Sequence, residues 1–378
     1  MKWTEEIPPR PSLEAAQASR TGVEAIPGEG SHDRRGAADS SVWVVVLAGG
    51  QGTRLQQFIR QILGSERPKQ FCRIIGTRSM LRHTWDRALR LVPPDRIVTV
   101  ITAGQEPHLA EERGKGVPGT ILVQPANRET APGLFLPLLW IARRDPGATV
   151  VVFPADHFIR EEARFLQHLR GAIRAADRTP SRLVLLGVEA EGPERSYGWI
   201  VPSQRLDDDS ESELYSVKRF WEKPDRRAAH RLFAQKCLWN TLVIVGRLTT
   251  FLDLGERTAP EAFVPLYAVA HCLGTPAEAD ALAKAYRQCP STNLSRALLT
   301  ACPESLLVLA TRGVFWSDWG APERIVRTLR QLNKYPEWLL AYTRRAVTDR
   351  MGTAQRTAVI GRALPLMRSS IWPNTVGT

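Results

Sequence analysis

The run Val42-Trp43-Val44-Val45-Val46-Leu47 passes without a break into Ala48-Gly49-Gly50-Gln51-Gly52-Thr53-Arg54-Leu55. Six apolar residues rich in β-branched side chains describe a strand buried on both faces, the kind found inside a parallel sheet. Three glycines within four positions let the backbone approach a ligand where a Cβ would clash, and successive amide N–H groups can then point at anionic oxygens. A strand that feeds such a turn and then a helix forms the ligand mouth of an open α/β sheet, beyond the carboxyl ends of its strands. Arg54, and Lys69 within Arg67-Pro68-Lys69-Gln70-Phe71, add side-chain cations suited to a triphosphate. The turn lacks the Gly-Lys-Ser/Thr ending of a P-loop, and its Gly-Gly-x-Gly spacing differs from the dinucleotide fingerprint.

Strand-like runs continue at Arg96 to Ile101, Thr120 to Val123, Thr149 to Phe153 and Arg182 to Val188. Helical patterns lie between them, at Met80 to Leu91, Leu134 to Arg143 and Phe165 to Ala176. This alternation predicts a Rossmann-like, mostly parallel sheet flanked by helices. The apolar helix around Leu134 should be buried, and Pro137 suits it in the first turn. After Val188 the texture changes: Tyr197 to Val201 and Tyr215 to Phe220 are short strands about the acidic turn Asp207-Asp208-Asp209. They predict a small antiparallel insertion over the open end of the sheet, a second wall to the cleft. Further strands are expected at Thr241 to Gly246 and Leu306 to Thr311.

The expected organisation is a flexible leader over 1–41, rich in Pro, Gly, Ser, Ala and charge, a catalytic domain over 42–330, and a helical, basic extension over 331–378. No run reaches the roughly 18 apolar residues of a membrane span, and the leader lacks a secretory pattern, so the cytoplasm is the expected location. Five cysteines without Cys-x-x-Cys spacing read as free thiols rather than a disulfide or zinc framework. Net charge is +12, and from Ala321 onward ten basic residues face three acidic ones. That surplus lacks the interleaved aromatics of a nucleic-acid surface, which argues against such a partner; self-association is left open.

Asp156, in Pro154-Ala155-Asp156-His157, directly follows the apolar strand ending at Phe153, a place suited to holding a divalent cation over phosphates; the competing reading is a helix cap. Glu222-Lys223-Pro224-Asp225 sets a lysine beside a proline-fixed turn, a rigid positive point for a phosphate monoester. Glu222 and Asn240, in Leu238-Trp239-Asn240, can hydrogen-bond hydroxyls. Asp318, in Trp316-Ser317-Asp318-Trp319-Gly320, is a further carboxylate between large aromatics, where a structural role is the commoner one.

These motifs, with Gln124-Pro125-Ala126-Asn127-Arg128-Glu129-Thr130-Ala131-Pro132 and Tyr197-Gly198-Trp199-Ile200, occur in an order that resembles the sugar-phosphate nucleotidyltransferases, mannose-1-phosphate guanylyltransferases above all, over roughly residues 42–330. The resemblance implies the conversion of GTP and mannose 1-phosphate into GDP-mannose and pyrophosphate, with Mg²⁺. It implies nucleotide contacts from Leu47, Ala48, Gly49, Gly50, Gly52, Thr53, Gln124 and Thr130, and catalytic roles for Arg54 and Lys69. Sugar-phosphate contacts would come from Gly198, Glu222, Lys223 and Asn240, and Mg²⁺ ligation from Asp156 and Asp318. A sugar phosphate is already an ionised nucleophile, so cations rather than a base lower the barrier.

The chain departs from the family pattern at several points. Glu129 stands where Asn is common, and Trp239-Asn240-Thr241-Leu242 where Trp-Asn-Ser-Gly is common, which bears on sugar identity. Many members carry Asp near Asn293, and the closing motif keeps Asp318 and Gly320 but shifts its tryptophan. The resemblance supplies no hexapeptide β-helix or isomerase domain after residue 330, so one activity is expected. The alternatives are transfer with another base or hexose 1-phosphate, and a weakened relative that binds sugar nucleotides to regulate a partner.

Overall fold

The computed structural model describes residues 42–112, 116–206 and 213–350. The leader, the acidic turn at Asp207 to Asp209 and the tail beyond 350 lie outside the described residues. The strands are β1 (Val42–Leu47), β2 (Ile97–Thr102), β3 (Thr120–Gln124), β4 (Thr149–Pro154), β5 (Phe158–Ile159), β6 (Leu183–Glu189), β7 (Gly198–Arg205), β8 (Leu214–Glu222), β9 (Leu238–Arg247), β10 (Leu306–Ala310) and β11 (Trp316–Ser317). The α-helices are α1 (Gln56–Leu63), α2 (Met80–Ala88), α3 (Glu106–Ala110), α4 (Thr130–Ala142), α5 (Glu162–Arg178), α6 (Arg226–Ala234), α7 (Leu248–Thr258), α8 (Pro260–Ala268), α9 (Glu278–Gln288), α10 (Pro322–Gln331) and α11 (Glu337–Arg350).

Nine strands form one sheet in the order β3-β2-β1-β4-β9-β6-β10-β8-β7, and β5 pairs with β11 beside it. Period-two alternation explains why the sheet needs helices on both faces. From β1, Trp43 and Val45 enter one core with α4, α7 and α8, while Val42, Val44 and Val46 enter another with α2 and α5. Strand β4 divides likewise, Val150 and Val152 to one side, Val151 and Phe153 to the other. Helix α4 is buried from Ala131 to Ile141, as its all-round apolarity demands, but it starts at Thr130, so Pro137 lies in its interior rather than its first turn.

The sheet is mixed, which corrects the expectation of a mostly parallel one. Strands β3, β2, β1 and β4 run parallel, as do β6 and β10, but β9 runs antiparallel between β4 and β6. A strand buried on both faces has the same residue pattern in either direction, so its polarity is invisible locally. The hairpin β7–β8 is also no insertion over the open end. Strand β8 pairs with β10, and β7 with both β8 and β9, which makes the hairpin part of the main sheet. Its side chains serve both faces: Ile200, Val217 and Phe220 join the first core, Trp199 and Leu214 the second.

A third core ties the glycine turn to the chain's later segments. Leu55, Phe58 and Ile59 pack with Ile74, Trp319, Ile325, Leu329 and Leu339, and the Phe58 ring meets Trp338 and Tyr342 edge-on at 5.7 and 5.1 Å. All five cysteines are unpaired, four of them buried. Among the described residues, no helix is long and apolar enough to cross a membrane.

Candidate active site

The glycine turn and Asp156 are neighbours because β1 and β4 are. Leu47 lies opposite Pro154 in the parallel register, the Ala155 N–H donates to the Leu47 carbonyl at 3.1 Å, and the two chains leave the sheet side by side. Between them opens a cavity of about 440 Å³, with Gly49, Gly50, Arg54, Lys69, Asp156 and Thr130 on its lining. Leu47, Gly52, Thr53 and Gln124 also line it, and Ala48 is buried just behind.

The turn's shape is set by partners outside the motif. The Gln70 amide donates to the carbonyls of Ala48 (2.5 Å) and Gly50 (2.7 Å), Gln105 donates to Gly50 at 3.0 Å, and the Thr102 hydroxyl donates to Gly49 at 2.8 Å. With these carbonyls held inward, the amides of Gly49, Gly50 and Gly52 have no hydrogen-bond partner among the described residues, whereas Ala48 donates to Val100 at 2.8 Å. A Cβ on Gly49 would collide with the Gln124 amide, and Gly52 adopts a left-handed φ of 63°, whereas a Cβ on Gly50 would meet no protein atom within 4 Å. Gln124 is itself buried, donating to Thr102 Oγ1 at 2.8 Å and accepting from the Tyr286 hydroxyl at 3.2 Å. Thr102 and Gln105 escaped the sequence reading; the end of the second strand was the signal that could have found them.

Lys69 is 5% exposed, and its ammonium lies 2.9 Å from the Asp156 carboxylate and donates to the Asp318 carbonyl. The Trp319 carbonyl stands 3.4 Å away, aimed by a left-handed Trp319 backbone at φ 43° whose ring stacks on Phe158. Lys69 therefore ties the two carboxylate-bearing segments together. Burial pushes the Asp156 carboxyl upward, but the Lys69 charge, with His157, a Lys69 hydrogen bond and Arg54 behind it, holds it below the ordinary aspartate value. His157 accepts from Trp316 Nε1 at its Nδ1, 3.3 Å away, leaving Nε2 toward Asp156 at 3.7 Å; burial keeps this imidazole below its ordinary value.

Asp318, expected to share a metal with Asp156, has its carboxylate engaged elsewhere. Its Oδ1 accepts from the Tyr197 hydroxyl (3.0 Å) and the Gly320 N–H (2.9 Å), and Arg324 Nε lies 3.1 Å away. Arg324 also reaches Oδ2 at 3.4 Å, and the Asp318 carboxylate is absent from the cavity lining, where Asp156 is present. Among the described residues, no three His, Cys, Asp or Glu side chains converge as a metal site.

Gly198, Glu222 and Asn240 adjoin one another, since a Cβ on Gly198 would lie 2.7 Å from the Phe220 ring, 3.0 Å from Glu222 Oε2 and 3.3 Å from the Asn240 Cβ. Lys223 follows with a left-handed φ of 49° and its ammonium 3.6 Å from Glu222. None of these four lines the 440 Å³ cavity; they flank it through Glu129 and Leu242, which do. Both of those are left-handed, at φ 65° and 59°, and Asn240 Oδ1 accepts the Leu242 N–H at 3.1 Å. Glu129 accepts from Asn293 at 3.0 Å, and Thr130 Oγ1 accepts the Leu294 N–H at 2.9 Å, so residues 292–294 brace the start of α4. Left-handed non-glycine backbone gathered around one cleft is strain of the sort that collects at working sites. Burial, partly opposed by Lys223, raises the Glu222 carboxyl above its ordinary value.

The architecture and cleft define an α/β protein whose mixed sheet sets a glycine loop, a lysine and a carboxylate around one cavity. The chain belongs to the nucleotidyl transferase family, whose sequence model matches residues 43–334. It is 30% identical over 288 residues to the xanthan biosynthesis protein XanB of Xanthomonas campestris pv. campestris strain B100, covering 75% of this chain and 58% of that protein. It is 28% identical over 286 residues to a mannose-1-phosphate guanylyltransferase of Salmonella muenchen, covering 73% and 57%. The chain thus spans less than two thirds of the length of these curated relatives. A crystal structure from Thermus thermophilus, described as a mannose-1-phosphate geranyltransferase, superposes with a TM-score of 0.64 at 25% identity, covering 75% of this chain and 79% of that one. The resemblance drawn from the motifs and these similarities point to the same kind of sugar-phosphate nucleotidyltransferase.

Proposed function

We propose that this chain joins the guanylyl group of GTP to mannose 1-phosphate, giving GDP-mannose and pyrophosphate. The observation that carries the reading is the shared cavity, in which the glycine turn, Arg54, Lys69 and Asp156 meet while Glu129 and Leu242 lead toward Glu222 and Lys223. A phosphate oxygen of the sugar phosphate attacks the α-phosphorus, and the bond from that phosphorus to the β-phosphate oxygen breaks. Pyrophosphate leaves with the electron pair. The barrier is the approach of two anions, which fixed donors and cations lower. The amides of the turn and Arg54 hold the triphosphate, Lys69 fixes Asp156, and Lys223 holds the sugar phosphate. GTP and mannose 1-phosphate, rather than another pair, rest on the motif resemblance and the named relatives.

Asp156 fits a magnesium role, as a carboxylate on the cavity lining with Oδ2 on Lys69 and Oδ1 turned toward His157. Asp318 does not fit without surrendering Arg324 and Tyr197. A single protein carboxylate completed by phosphate oxygens and water is ordinary for Mg²⁺, which supplies charge neutralisation at the phosphates when bound. The test is pyrophosphate release with Mg²⁺, scanning GTP, ATP, UTP, CTP and dTTP against mannose 1-phosphate and glucose 1-phosphate. GTP with mannose 1-phosphate should lead, and Asp156→Asn should abolish turnover. Preference for another pair would keep the class and remove the specific substrates.

A further inference from the structure

A second cavity of about 500 Å³ adjoins the first and shares Arg54 and Gly320 with it; its remaining lining includes Glu194, Glu323, Arg324 and Arg327. Two of its charges are already committed: Arg324 lies 3.2 Å from Glu194 and 3.1 Å from Asp318. Arg54, Arg327 and Glu323 take part in no ion pair among the described residues. Two uncommitted guanidiniums therefore face one uncommitted carboxylate in a hollow that begins where the glycine turn ends. Ile325 and Leu329 of α10 pack with Leu55, Phe58 and Ile59 behind the turn, so the helix that carries Arg327 and the segment that carries Arg54 are joined through one apolar core.

We propose that this hollow is the pyrophosphate subsite, with Arg327 as the cation that receives the far end of the triphosphate and of the departing diphosphate. The inference rests on the nucleotidyl transfer proposed above and adds a residue outside every motif. An arginine that can reach across two cavities, Arg54, marks where a chain of phosphates would pass from one to the other. A diphosphate is long, multiply charged and matched by guanidinium forks, and a hexose is none of these. Glu323 opposes an anion there, so its removal should act in the opposite direction to removal of Arg327.

The experiment is calorimetric titration of the full chain with inorganic pyrophosphate, and separately with mannose 1-phosphate. Arg327→Gln should weaken pyrophosphate binding about ten- to a hundredfold, the range for losing one hydrogen-bonded charge, and leave mannose 1-phosphate binding unchanged. Arg327→Lys should fall between, and Glu323→Gln should bind pyrophosphate at least as tightly as the parent. The assignment fails if Arg327→Gln binds pyrophosphate like the parent, if it loses both ligands equally, if Glu323→Gln also weakens binding, or if the parent binds no pyrophosphate. Turnover is measured apart, so Arg327-dependent pyrophosphate binding without transfer would defeat the proposed function and leave the subsite standing.

Discussion

Leu242 sits on the cavity lining with a left-handed backbone, φ 59°, where a leucine is out of place, and this allows an inverted order of substitutions. Left-handed backbone costs an L-residue with a Cβ roughly 1–2 kcal/mol, and glycine essentially nothing. Leu242 is half-buried against the sheet's first core. Truncating a fully buried leucine costs about 2–5 kcal/mol, so a half-buried one should lose about 1–2 kcal/mol. Leu242→Ala loses those contacts and keeps the strained backbone. Leu242→Gly loses the same contacts but relieves the strain, less about 0.5–1 kcal/mol for the greater freedom of glycine in the unfolded chain. The glycine variant should therefore be the more stable of the two by about 0.5–1 kcal/mol, the reverse of the usual ranking. Urea unfolding of all three proteins, compared at equal slope, reads this directly. An alanine variant as stable as the glycine variant, or more so, would refute the claim that the backbone at 242 is held in a conformation suited to glycine.

Three more expectations follow from the same geometry. Arg54→Gln should lower kcat/KM by about 10²-fold or more and leave the unfolding midpoint unchanged, because Arg54 is exposed and unpaired among the described residues; a shifted midpoint would mean the residue supports the fold. Gly49→Ala should displace Gln124 from Thr102, destabilise the protein by about 1–3 kcal/mol and weaken nucleotide binding, and normal affinity with normal stability would show that the loop gives way freely. Glu222 has a folded pKa raised above its ordinary value of 4.5, so stability is lost as the pH rises from that ordinary value through the folded one, and the loss is complete above it. Glu222→Gln should match the parent at pH 4 and become relatively more stable as the pH rises toward 7, measured by unfolding midpoints across that range; a gap that closes instead would contradict the sign.

The half of the cleft built on the glycine turn was legible because its pieces are local. A β-branched strand, three glycines, an arginine and an aspartate after a second strand each carry their meaning within ten residues, and the parallel pairing of Val42–Leu47 with Thr149–Pro154 then sets them side by side. Arg327 was not legible beside the cleft, since an exposed helical arginine has no pattern of its own. Its place next to Arg54 comes from what the chain's crossings bring near. The structural role read as the commoner one for Asp318 could not be given partners, because neither Tyr197 nor Arg324 announces from its own segment that it will close on that side chain.

The amino-acid order by itself determined the segments: where strands and helices fall, which faces are apolar, and where the glycine-rich turn lies. Tertiary structure decided direction and commitment. It alone sets β9 against its neighbours, joins β7–β8 to the main sheet, spends Asp318 on Arg324 and places Lys69 between Asp156 and two carbonyls. The physical reason is that hydrophobic periodicity records only the face a residue presents, while strand polarity and charge pairing depend on which other segments the fold brings alongside.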